Sequence, residues 1–316
     1  MYEGHALVKP AASERWKRLG RIFEAGFAPW SKTHVQNPFP ERLGPSSYRV
    51  HFATRDERNR ARGGYFDFDP RRPQEILSIS SRPTLDLGEL GAFDDCGVMP
   101  SCILDRDGEK WMYYTGWSKA VEVPFSFHIG LAISRDGGRS YERMSPAPVL
   151  GRNQHDPFIV GAPFVLASEE GFEMWYVSGT KWVREGDSAT HFYTVKRADS
   201  TDGITWRTSY DICLDYVEGE YALARPFVLR GADRYEMCFS HRRTGTTYRL
   251  GYAESADGKV WRRVEREPWL EVAPAGWDSE MLCYGAPFEH AGAGYLLYNG
   301  NGYGATGVGL AVYEGS

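Results

Sequence analysis

The sequence predicts an all-β chain, and three observations carry that prediction: a high aromatic share, dense glycine and proline punctuation, and a strand pattern recurring about every sixty residues. Aromatic residues make up 14% of the 316 positions, with 19 Tyr, 16 Phe and 10 Trp, types that fit pleated, half-buried surfaces. The 35 Gly and 18 Pro interrupt the chain too often for long helices. A hydrophobic share of 42% against 25% charged is the balance of a folded chain with a sizeable core.

The repeat begins at Pro38 in "NPFP" and returns at Pro100 in "MPSCIL", Pro163 in "APFVL", Pro226 in "RPFVL" and Pro287 in "APFEH", with gaps of 62, 63, 63 and 61. A second strand pattern follows each proline: "YRVHFATRD" (48–56), "WMYYTGW" (111–117), "EMWYVSG" (173–179), "EMCFSHR" (236–242) and "YLLYNGN" (295–301). Three repeats continue into a third strand and an Asp-Gly turn closing on an aromatic, at 129–141, 193–206 and 250–261, which reads as a hairpin to a fourth strand. "GGYFDFDP" (63–70) is a looser third strand, and "TGVGLAVYE" (306–314) ends the last repeat without a fourth. The N-terminal "RWKRLGRIFEA" (15–25) is available to supply it.

Four-stranded units repeated radially, the last completed from both termini, describe a five-bladed β-propeller as a single domain over 1–316. Tyr141, Trp206 and Trp261, recurring at one turn, are expected to pack between blades.

In a propeller the innermost strand of each blade lines a central channel, so the residues ahead of the repeating prolines converge at one rim. Four of the five lead-ins carry carboxylates: Asp94 and Asp95, Asp156, Glu218 and Glu220, Asp278 and Glu280. Carboxylates crowded at one rim raise one another's pKa, which is how a general acid is made near neutral pH. Two of them flanking a glycosidic bond are the usual equipment for its cleavage. Glu280, Asp95, Asp156 and Glu220 are therefore the candidate catalytic groups. His34, Asn37, Arg55, Asp94, His155, Arg225, His241, Arg242, Trp117 and Tyr284 are the candidate substrate-binding groups. Aromatic rings stack on the apolar faces of sugars while Arg, Asn and carboxylates take the hydroxyls. The cationic members suit a phosphate or carboxylate carried by the sugar.

The motifs "QNPFP", "FDDCGVMPS", "DPF", "YALARP" and "GWDSEM" resemble the five-bladed propeller superfamily of glycosidases, which spans glycoside hydrolase families 43, 32, 68 and 130. Within it the chain is most similar to a glycosidase-like branch associated with surface polysaccharides. The resemblance implies a glycoside-active enzyme, whether hydrolase, transglycosylase or phosphorylase. Its alternatives are a non-catalytic glycan-binding propeller and different biosynthetic chemistry on the same scaffold. It further implies an Asp on the first inner strand, a second Asp before a proline, and a Glu acid. Asp156-Pro157 matches the second, with His155 in place of Arg, whereas the first position holds Asn37 and "GAP" (161–163) lacks the Glu. An amide is neither nucleophile nor base near neutral pH, so any catalysis moves to the other carboxylates.

The net charge of −5, with both signs mixed along the chain, excludes a phosphate-tracking stripe and hence nucleic acid as a partner. The expected partner is a carbohydrate or a sugar phosphate. No apolar segment of signal-peptide or membrane-spanning kind occurs, which predicts a cytoplasmic protein without membrane contact. Five cysteines without C-x-x-C spacing read as buried free thiols. No cofactor is expected apart from a calcium ion that some members of the superfamily hold in the channel, within reach of Asp156 or His155.

Overall fold

Strand ladders account for nearly the whole chain in a computed structural model, which describes residues 16–264 and 270–313. After β1 (Trp16–Phe23), the strands β2 (Thr33–Gly44), β3 (Ser47–Arg55), β4 (Ala61–Phe68) and β5 (Ile76–Ile79) pair in order as an antiparallel run. The next run is β6 (Gly97–Arg106), β7 (Glu109–Lys119), β8 (Phe125–Ser134) and β9 (Glu142–Arg143). It is followed by β10 (Val160–Ser168), β11 (Gly171–Glu185), β12 (Ser188–Ser200) and β13 (Arg207–Leu214). Then come β14 (Glu220–Arg230), β15 (Tyr235–Arg243), β16 (Arg249–Ser255) and β17 (Arg262–Arg263). The closing sheet contains β18 (Cys283–His290), β19 (Ala293–Asn299) and β20 (Val308–Tyr313).

The strand order in that closing sheet is β1-β20-β19-β18, so Trp16–Phe23 is its outer strand, as anticipated for 15–25; Arg15 and Glu314 lie outside the described residues. Single parallel bridges, Ala61 to Gly97 and Tyr193 to Ala222, join neighbouring runs. The architecture is all-β, a series of antiparallel runs consistent with a β-propeller.

The second strand of each run is apolar on both faces because a neighbouring run covers each face. In β3, Val50, Phe52 and Ala53 are wholly buried, and in β15 so are Met237 and Cys238. The outer strands β9 and β17 are only two residues long, which limits the unpaired edge they present.

The Asp-Gly turns latch one run to the next. Ser134, Ser200 and Ser255 each donate a hydroxyl to the turn aspartate two residues on, and backbone amides donate to Asp136, Asp202 and Asp257. This shapes the turn so that a carbonyl faces the preceding run: Arg49 donates to Gly137 (2.9 Å), Tyr113 to Gly203 (2.8 Å) and Trp175 to Gly258 (2.8 Å). Ring contacts reinforce each latch, Tyr141 on His51, Trp206 on Tyr113 and Trp261 on Trp175. The closing sheet is tied on both sides, by the Tyr284 amide donating to Ser240 Oγ and by Tyr48 donating to the Glu289 carbonyl.

The described cysteines are all free, and four of the five are buried. Among the described residues no helix is long and apolar enough to cross a membrane.

Candidate functional site

Proline cannot donate to a ladder, and each inner strand carries a bulge at or close to its proline, with Pro38, Pro163 and Pro226 inside it. The register slips between Gln36 and Phe39, Pro100 and Cys102, Gly161 and Phe164, Ala224 and Phe227, and Cys283 and Ala286. At these bulges Asn37, Ala162, Arg225 and Tyr284 adopt left-handed φ values of 55, 46, 52 and 57°. A residue before proline normally avoids helical φ/ψ, and non-glycine residues rarely turn left-handed. Strain of this kind gathers where side chains are being re-aimed. Asn is among the residues that tolerate it best, so Asn37 has a backbone reason for its identity. Its amide donates to Asn299 Oδ1 at 3.0 Å, and Asn299, itself wholly buried, donates to the carbonyls of Val35 and Gly307.

The aligned carboxylates follow a second rule. Asp94 accepts from the Tyr114 hydroxyl (2.9 Å) and Arg143 Nε (2.8 Å). Asp156 accepts from Tyr176 (3.1 Å), Ser178 (2.7 Å), Lys196 (3.0 Å) and Asn153 (3.1 Å). Asp278 accepts from Tyr298 (3.1 Å) and Arg18 (3.0 Å). Burial, then the carboxylate beside it, pushes each of these tyrosines up, so all three stay protonated donors. Glu220 meets His241 and Arg263 at 2.8 Å each. Burial alone would raise its carboxyl, but His241 and Arg263 outweigh it and hold the group at about 2. Asp94, Asp156, Glu220 and Asp278 are thus enclosed and neutralised within their own runs, and His241 is occupied with Glu220.

Other candidates lie elsewhere. Asp95 is half-buried at a tight turn, accepting from the Gly91 amide. Glu280 is exposed, its amide held by Asn301 Oδ1, and among the described residues its carboxylate has no ion-pair partner. His155 turns to the outer strand β13, bonding Thr208 and packing on Tyr210. Trp117 covers Gly97, where a Cβ would come within 1.6 Å of the indole nitrogen; no larger residue fits there.

A different set is brought together at the lead-ins of β2, β14 and β18. Arg225 is wholly buried; its Nη2 donates to the Pro38 carbonyl (3.0 Å) across to another run, while Nε and Nη1 have no partner. Burial presses its guanidinium down to about 10. Tyr284 lies close enough to influence both Arg225 and Arg55. Arg55 donates to Gln36 and Asn59, both neutral. Burial and then the charge of Arg55 hold His34 down at about 4, so it is neutral at pH 7. Beneath them the rings of Phe39, Phe164 and Phe227 close the floor, with centroids 4.6–6.3 Å apart.

Aromatic residues extend this cluster. Arg242 donates to the Tyr303 hydroxyl (2.9 Å) and lies 5.3–6.0 Å from the ring centroids of Tyr221, Tyr248 and Tyr303. Tyr248 in turn packs on Tyr284 and exchanges a hydroxyl hydrogen bond with Tyr193. His191 stacks on Tyr193 and joins Trp182 and Phe125. Tyr303 belongs to "NGYG" (301–304), a rim turn with left-handed Gly302 and Tyr303. Tyr193, Tyr248, Tyr303 and Asn299 are not among the expected site residues, although the aromatic wealth of the chain points to such a lining.

Among the described residues no group of three His, Cys, Asp or Glu is gathered as a metal site. Asp156 and His155, named above as within reach of a channel calcium, are engaged with Tyr176 and Thr208.

Comparison with known proteins places the chain. A protein of Mycobacterium tuberculosis (strain H37Rv) named "Uncharacterized protein Rv1502" is 38% identical over 301 residues, covering 95% of this chain and 99% of its own. The chain belongs to the Rv1502 family. No general protein-family model matches this Rv1502-family chain. Among solved structures, one described as a glycoside hydrolase superposes with a TM-score of 0.73 at 16% identity, covering 95% of this chain and 92% of its own. A thermostable family-43 glycoside hydrolase follows at 0.64 and 13%, covering 92% and 91%. At such identities the likeness shows that the Rv1502-family chain shares their fold.

Proposed function

We propose that the chain is a five-bladed β-propeller of glycosidase-like function that takes a carbohydrate at the channel mouth. The run-by-run pairing, the latches between successive runs and the β1 closure support the blade count. One observation carries the carbohydrate reading: the half-buried rings of Trp182, His191 and Tyr303 adjoin the guanidinium groups of Arg242 and Arg55 in one continuous set. Flat rings beside a few fixed donors are the pairing a sugar requires.

Cleavage or transfer at a glycosidic bond needs two carboxylates free to meet the sugar. Of the four candidates, Glu280 is exposed and outside any ion pair among the described residues, and Asp95 is outside ion pairs although it accepts from the Gly91 amide, so these two are the carboxylates to test, Glu280 as acid and Asp95 as base. The test is turnover of activated sugars, with and without inorganic phosphate, by wild type, Glu280→Gln and Asp95→Asn. Loss of turnover in both folded variants supports the assignment, and full turnover in both overturns it.

A second reading, binding without turnover, is favoured by the enclosure of Asp94, Asp156 and Glu220 in ion pairs. It is supported when saccharides bind and none is consumed.

A further inference from the structure

Arg225 poses an electrostatic problem that the fold alone leaves open. A charge taken out of water is expensive unless it is paired, and unmade hydrogen bonds of a buried group add to that. Arg225 is wholly buried, spends one nitrogen on the Pro38 carbonyl, and leaves Nε and Nη1 unbonded. Among the described residues it forms no ion pair with an acid. The groups that shape its field are Cys102, Tyr284 and Cys238, and burial pushes each of them up, so at neutral pH none carries a negative charge.

The position is adjacent to the channel lining. The carbonyl that Arg225 holds belongs to Pro38, next to Asn37, and the left-handed backbone at both residues turns their side chains out of the ordinary ladder. Arg55 reaches the same strand two residues away by donating to Gln36, and its partners Gln36 and Asn59 are uncharged. Two guanidinium groups with no neutralising acid among the described residues therefore bond to the same short stretch of β2, Arg55 to the Gln36 side chain (2.8 Å) and Arg225 to the Pro38 carbonyl (3.0 Å), with neutral His34 beside Arg55.

We infer that this spot between Arg225 and Arg55 is a seat for an oxyanion, the carboxylate or phosphate group of an acidic saccharide. A guanidinium offers parallel N–H donors that match two oxygens of such a group, and pairing in a buried setting is stronger than in water. The inference deepens the carbohydrate reading and takes the acidic sugar from it, while the seat itself answers to small anions.

The experiment uses the full chain at constant ionic strength in chloride. Inorganic phosphate, glucuronate, glucose 6-phosphate and neutral glucose are each titrated by calorimetry and by thermal unfolding. One oxyanion or acidic sugar is expected to bind one-to-one and to raise Tm with concentration. Phosphate against glucuronate shows which group the seat takes. Arg225→Met is expected to fold, since an apolar isostere relieves an unpaired buried charge, and to weaken binding at least about tenfold. Arg55→Gln, which keeps polar contacts at a half-buried position, is expected to weaken it likewise and serves as the test should Arg225→Met not fold. The inference is overturned when no oxyanion or acidic sugar binds above chloride, or when binding persists unchanged in the folded variants. Neutral sugars binding without any oxyanion response overturn the inference alone and leave the carbohydrate reading standing. An oxyanion response in the absence of any saccharide binding upholds the seat and removes the carbohydrate.

Discussion

The hydroxyl of Tyr176 lies 3.1 Å from Asp156 Oδ2, and the same pairing across twenty residues recurs between Tyr114 and Asp94 and between Tyr298 and Asp278. In each case a cation completes the set: Lys196, Arg143 or Arg18. This repeated device fastens the loop ahead of an inner strand to the second strand of the same blade.

Removing the Asp156 carboxylate is therefore expected to act on stability. Asp156→Ala leaves Lys196 buried and uncompensated, at a cost of about 3–5 kcal/mol. Denaturant unfolding measures it, and a double-mutant cycle with Lys196→Met should recover part of the loss. Activity lost by this variant in proportion to its unfolded fraction would place Asp156 in the scaffold.

The acid limb of the stability profile follows from groups held below their ordinary values. Burial alone would raise Glu41, but His51 and Lys110 outweigh it and hold it at about 2, as His241 and Arg263 do for Glu220. Each folded carboxyl binds its proton later than the unfolded one at 4.5, so its contribution is full above pH 4.5 and is lost as pH falls toward 2. His34 adds a separate step: folded at about 4 against 6.5 unfolded, it takes up its proton less readily in the fold, so stability falls as pH drops from 6.5 to 4. Urea unfolding across pH should show both steps, and His34→Gln should shrink the upper one, to which His191, held at about 4 by burial and then by Arg242, also contributes.

At Asn37 the left-handed backbone predicts a graded response. Asn37→Gly and Asn37→Asp should change stability by less than about 1 kcal/mol, whereas Asn37→Val should lower it by about 1–3 kcal/mol. Thermal unfolding of the three variants checks the order.

Between blades, Tyr113→Phe removes one hydroxyl and leaves the Gly203 carbonyl unsatisfied, for a loss of about 1–3 kcal/mol. Saccharide binding at the channel mouth should be unchanged in this variant.

Much of the scaffold is legible in the amino-acid sequence. The prolines mark the inner strands because each of these strands is bulged at or close to its proline, and the aromatic second strands mark the surfaces that stack between neighbouring runs. Even the N-terminal strand follows from counting what the last repeat lacks. The carboxylates are harder. Their position ahead of the prolines suggests a shared rim, yet which way they point depends on cations on β1, β9, β12 and β17, at sequence separations that vary from run to run. The twenty-residue interval from Asp to Tyr is the available sign. Asn37 stands in the sequence where the resembling enzymes carry a catalytic aspartate; the structure adds that its backbone conformation favours an asparagine.

The measurement that tests the account most directly is a titration of neutral and acidic oligosaccharides against wild type and Arg242→Gln. Arg242 meets the tyrosine lining and makes no ion pair among the described residues, so its loss should leave the fold intact. At least one oligosaccharide is expected to bind the wild type and to bind the variant at least about tenfold more weakly. Failure of every oligosaccharide to bind, or equal binding to both proteins, would contradict a carbohydrate site at the channel mouth.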